Sequence, residues 1–134
     1  MKRILTIFLL LICLPAFSKH VYKEKEYQEA WCTAREGVME YKLPDKTRVD
    51  CLLPDYAVEF DFGAKWAESI GQSLYYGMMT ERTPAVVLIL ENPEKELKYL
   101  NRLQIVAEQY GIKVFTMTLE DYELTKSYQD FILK

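Results

Sequence analysis

Apolar and polar residues alternate along this chain in two rhythms, which divide it into elements. In "YKEKEYQEAWCTAREG", residues 22–37, Ala30, Trp31 and Ala34 form an apolar stripe at helical spacing. Tyr27 lies one turn earlier, and Gly37 supplies a stop. Three runs with the two-residue rhythm of strands follow: "VMEYKL" (38–43), "TRVDCLL" (47–53) and "YAVEFDF" (56–62). The turn pairs Pro44-Asp45 and Pro54-Asp55 separate them, and connections this short predict an antiparallel meander. Gly63 breaks the alternation. "AKWAESIGQSLYYGMMT" (64–80) then returns to the helical period, with Gly71 inside it read as a point of close packing.

"PAVVLILE" (84–91) is the most apolar run of the fold and predicts a central strand buried on both faces. Asn92 as N-cap and Pro93 as the first helical residue open a helix that runs to Tyr110 and closes at Gly111. "IKVFTMT" (112–118) reads as a fifth strand, parallel to the fourth because a helix intervenes. In residues 119–134 the pattern is undecided, with "SYQDFILK" readable as a short helix. The order α-β-β-β-α-β-α-β predicts an α/β fold: a meander followed by a right-handed crossover, giving a mixed central sheet flanked by helices.

The same alternation places charges. In the second strand Arg48 and Asp50 share one face, opposite Val49, Cys51 and Leu53; in the third, Ala57, Glu59 and Asp61 lie opposite Val58, Phe60 and Phe62. Hairpin pairing brings Asp50 and Glu59 across from each other. Two environments fit these acids: the solvent face of an edge meander, or a site covered by the following helix. That helix carries Lys65, Glu68, Gln72 and Tyr76 on one face and Trp66, Ile70, Leu74 and Gly77 on another. Its polar face starts just past Asp61, within reach of the acids. Carboxylates gathered at one place repel each other and lose hydration, and a divalent cation offsets both costs.

Composition narrows the chemistry. The opening "MKR", the apolar run "ILTIFLLLICL" and "PAFS" have the layout of a secretory signal peptide, residues 1–18, cleaved after Ser18. An uncleaved interfacial anchor or a chance apolar start is the alternative. Cleavage predicts an exported protein, periplasmic or secreted, consisting of a single domain over residues 19–134. Without Lys2 and Arg3, 15 of the 17 basic residues remain against 20 acidic ones, a net charge near −5. Binding of nucleic acid through bulk charge is thereby excluded. A local patch is required, and Lys42, Lys46 and Arg48 or Lys95, Lys98 and Arg102 are candidates, with ordinary solvated charge the plainer reading of both. The chain has one histidine, His20, so nucleophile systems and zinc sites built on histidine are not expected. Cys32 and Cys51 permit one disulfide or two buried thiols. A bridge would tie the first helix to the strand bearing Asp50.

Taken together, the element order, Asp50, Glu59 and the helical "QSLYY" resemble the PD-(D/E)XK nuclease superfamily, with its restriction-endonuclease-like core. In that family an Asp stands on the second core strand and a Glu-x-Lys on the third. Asp50 and Glu59 match the acids, while Asp61 stands where the lysine would be. The resemblance implies that Lys65 supplies the lysine from the helix, as in some members. It further implies that Gln72 and Tyr76 form the Gln-x-x-x-Tyr motif of the exonuclease branch. Glu26 or Glu29 would complete the site from the first helix, Glu26 being favoured by its distance to Gly37. The implied activity is hydrolysis of DNA phosphodiester bonds with Mg²⁺ or Mn²⁺ held by Asp50 and Glu59. Asp61 and Lys65 would join the catalytic group, and Glu26, Gln72 and Tyr76 would contact substrate. Two rival expectations keep the fold: an exported binding module with a degenerate site, docking through Tyr75, Met78 and Met79, and a calcium-stabilised structural domain.

Overall fold

The computed structural model describes residues 19–132. The expected signal segment, residues 1–18, lies outside the described residues, as do the last two residues of the chain. In order, the elements are α1 (Glu24–Thr33), β1 (Val38–Lys42), β2 (Arg48–Leu52), β3 (Tyr56–Phe62), a 3-10 turn (Gly63–Lys65), α2 (Trp66–Thr80), β4 (Thr83–Leu90), α3 (Pro93–Tyr110), β5 (Lys113–Thr118) and α4 (Leu119–Ile132). The strands form one mixed sheet in the order β1-β2-β3-β4-β5. Pairing is antiparallel as far as β3, where turns are short, and parallel from β3 to β5, where α2 and α3 intervene.

Both faces of the sheet are covered. Ala85, Val87 and Ile89 of β4 join Val58, Phe60 and Phe62 of β3 against Tyr27 and Trp31 of α1 and Tyr122 of α4. On the other face Val86, Leu88 and Leu90 meet Trp66, Ile70 and Leu74 of α2 and Leu103 and Ala107 of α3. Every β4 residue from Ala85 to Leu90 is buried, as its unbroken apolar run requires. A Cys32–Cys51 disulfide staples α1 to β2.

Four local features differ from the expected pattern, each for a physical reason. Helix α1 starts at Glu24 rather than Tyr22, because the Val21 and Tyr22 N–H groups donate to the Glu91 carboxylate at 2.9 and 3.3 Å and hold an extended arm. It ends at Thr33, and Gly37 serves space rather than termination: a Cβ there would stand 2.6 Å from both disulfide sulfurs. Gly71 is not a close-packing point, since a Cβ there meets nothing within 4 Å; the tight glycine of α2 is Gly77, against Pro84 and the Arg82 carbonyl at 3.0 Å. The tail is helical from Leu119 onward. Thr118 and Asp121 cap it reciprocally, Thr118 N–H donating to Asp121 Oδ2 at 2.8 Å and Asp121 N–H to Thr118 Oγ1 at 3.1 Å.

Candidate functional site

The register of β2 against β3, Cys51 opposite Val58 and Leu52 opposite Ala57, sets Asp50 across from Glu59. The backbone ladder gives way there. The Phe60 N–H donates at 2.8 Å to Asp50 Oδ2, so a side-chain oxygen takes the place of a ladder carbonyl. The Asp50 carbonyl accepts instead from Gln28 Nε2 of α1 at 2.5 Å, and the same amide reaches Glu40 Oε1 at 3.2 Å. Glu40, within β1, has a left-handed φ of 53°, a conformation that costs a residue with a Cβ about 1–2 kcal/mol. Distorted backbone held in place by side chains is the kind of local cost that gathers at functional sites.

Glu59 and Asp61 are 4% and 3% exposed, so the solvent-face alternative does not hold. Helix α2 covers them. It lies close to the sheet because its inward stripe carries the fully buried Ser69 and Ser73, small residues whose hydroxyls donate to the Trp66 and Ile70 carbonyls of their own helix. Those serines therefore offer nothing to the acids. Glu59 Oε2 is buried without a hydrogen-bond partner, which costs about 1–3 kcal/mol or more for a charged group.

Burial followed by the neighbouring charges of Asp50 and Asp61 raises the Glu59 carboxyl strongly. Burial also lifts Asp50, against the hydrogen bonds from Phe60 and Glu59. Asp61 rises to about 7, through burial and the Glu24 charge, with Lys65 pulling the other way. Lys65 Nζ stands 3.8 Å from Asp61 Oδ1, its side chain half exposed beside a buried acid.

Gln72 is exposed, and Tyr76 is buried with Leu43, Val49, Leu52 and Ala57. Burial raises the Tyr76 hydroxyl, Gln72 lowers it, and the Glu59 and Asp50 charges raise it further. Glu26 is engaged elsewhere: its Oε2 accepts from the Lys23 N–H at 2.8 Å and caps its own helix. The α1 acid that reaches the cluster is Glu24, raised first by burial and then by Asp50, and eased by Lys65 and His20. Glu24, Gln28 and Glu40 thus complete a group the sequence reading did not assemble. Tyr75 bonds Asp45 in the β1–β2 turn, while Met78 and Met79 remain exposed.

Among the described residues, no three acidic, histidine or cysteine side chains stand as a ready-made metal cage. The donor chemistry nevertheless fits a hard divalent cation. The group is built of carboxylate oxygens, one of them buried without a partner, and burial and the neighbouring negative charges raise Glu59, costs that a cation would offset. Comparison with known proteins leaves the reading to these contacts, since no family model, curated protein or solved structure matches the chain.

Proposed function

We propose that this protein is an exported, metal-dependent nuclease of the PD-(D/E)XK type that hydrolyses phosphodiester bonds of DNA. The observation that carries the reading is half-buried Asp50 facing buried Glu59, whose Oε2 has no partner, on adjacent strands beneath a helix that brings Lys65 to Asp61. Charges this expensive to bury are retained where a site uses them. Asp50 and Glu59 would hold Mg²⁺ or Mn²⁺, which when bound polarises a phosphoryl oxygen and acidifies water.

The remaining groups position and stabilise. Gln28 and the Phe60 N–H fix Asp50 from both sides. Asp61 orients the Lys65 ammonium, which can stabilise charge developing on a phosphate oxygen. Tyr76, wedged among aliphatic side chains, braces Gln72 at the rim. The test is incubation of plasmid and single-stranded DNA with Mg²⁺ or Mn²⁺, with and without chelator. Chelator-sensitive cleavage, lost in Asp50→Asn and Glu59→Gln, is the expected result. Cleavage that survives either substitution removes the mechanism.

A second reading, a binding module on the same fold with a degenerate site, is favoured by one observation: an acid, Asp61, stands at the lysine position. It predicts no metal-dependent cutting, with Met78 and Met79 exposed as a surface for another protein.

A further inference from the structure

The extended arm before α1 is fixed at several points. His20 Nδ1 lies 3.0 Å from Glu91 Oε2, and its ring stacks on Phe62 with centroids 3.5 Å apart and planes 9° from parallel. The Val21 N–H and the Tyr27 hydroxyl also donate to that carboxylate, at 2.9 and 2.7 Å. Tyr22 packs on Tyr122 and bonds Glu123. A carboxylate only accepts, so Nδ1 is the donor and the His20 ring pins the arm to Glu91.

Lys19, His20 and Lys23 of the arm, with Glu24 and Phe62, line a recess of about 530 Å³, enough for a small ligand. Phe62 faces the α1 side of β3, opposite Asp61, and it is Glu24 of α1 that links the recess to the acids: it lines the recess, is raised by burial and then by the Asp50 charge, and adds to the effect of burial in raising Asp61. The recess therefore adjoins the acid cluster. An acidic chain that handles phosphates needs cationic groups beside its carboxylates, and this arm carries them.

We propose that residues 19–23 form a phosphate-binding lip, in which Lys19 and Lys23 engage a phosphate of a nucleic-acid strand entering the acid cluster, while His20 holds the arm in place between Glu91 and Phe62. The assignment of nucleic acid rests on the nuclease reading above. Anchoring by Glu91 and Phe62 pre-orders the arm, so binding pays little ordering entropy.

The test is fluorescence anisotropy of a labelled, 5′-phosphorylated oligothymidylate with Ca²⁺ in place of Mg²⁺, over a range of salt. Imidazole NMR signals of His20 are followed in the same titration. The doubly substituted Lys19→Ala/Lys23→Ala chain, whose altered side chains are exposed and whose fold is checked by thermal melting, should bind about tenfold more weakly, with a salt slope shallower by about one per lysine. The His20 signals should move when oligonucleotide binds the unsubstituted protein. Unchanged affinity in the double variant with unmoved His20 signals overturns the lip. A wild-type protein that cuts DNA while the double variant binds and cuts equally well removes the lip and keeps the nuclease. Lysine-dependent binding that moves the His20 signals, with no cutting in Mg²⁺ or Mn²⁺, keeps the lip and removes the nuclease.

Discussion

Glu59 concentrates the cost of this fold in one side chain. It is buried, it faces two other acids, and one of its oxygens has no partner. Glu59→Gln keeps the shape, keeps a donor toward Asp50 and removes the ionisation, so in chelator at about pH 8 the variant should melt a few degrees higher than wild type. It should also lose cleavage. A variant that melts lower and still cuts would contradict the role given to this residue. Lys65→Ala should keep the fold, because its side chain is half exposed, and slow cleavage by about a hundredfold; a rate scan settles this. At this scale the strand acids were legible, because alternation is a two-state code. The α1 acid was chosen by distance from Gly37, and the helical wheel does better. At about 100° per residue, Glu24 falls roughly 20° from the buried Trp31, whereas Glu26 falls roughly 140° away. His20 and Glu91 are brought together by folding across most of the chain, and no local spacing announces that contact.

Among the elements, α2 decides how deeply the acids are buried. Its fit depends on Ser69, Ser73 and Gly77, whose small size lets the helix approach the sheet. Gly71 sits on its exposed side with open space around it, so Gly71→Ala should stabilise the protein by about 0.5–1 kcal/mol, read from denaturant unfolding, with cleavage unchanged. Destabilisation would show that α2 needs flexibility at that turn. Strong periodicity made β3, β4 and α3 readable nearly to the residue. The Thr118-x-x-Asp121 cap that starts α4 was present in the sequence but easily passed over, since the helix behind it carries exposed Leu124, Tyr128 and Phe131 instead of a clean apolar stripe. The Cys32–Cys51 bridge was one of two open alternatives; the short path from α1 to β2, cleared at Gly37, is what allows it.

For the molecule as a whole, the acids make stability depend on pH and on metal. Burial raises Asp50 to about 6 and Asp61 to about 7, with Glu59 higher still. In the unfolded chain these groups ionise near the ordinary carboxylate value of about 4. The folded state therefore holds protons that the unfolded state releases, and stability falls as pH rises through the folded values. Glu91 and Asp45 shift downward and act in the opposite sense, but their contribution is complete above the ordinary carboxylate range. In chelator the melting temperature should thus drop by several degrees between about pH 5 and about pH 8. Mn²⁺ should reverse the drop at the upper end, because a bound cation offsets the charge of the ionised carboxylates. A flat profile, or a melt indifferent to Mn²⁺ at pH 8, would mean that the carboxyls are not coupled to folding in this way. The mixed α/β architecture follows from periodicity and connection lengths, which local sequence records. The placement of the N-terminal arm beside the acids depends on Glu91, at the far end of β4, and belongs to the assembled molecule.

The most direct trial is anomalous diffraction from crystals soaked in Mn²⁺ at about pH 8. A peak between the carboxyl groups of Asp50 and Glu59, absent in Glu59→Gln crystals treated alike, is the predicted result. Mn²⁺ bound at other sites, with that position still held by the two acids alone, would contradict the account.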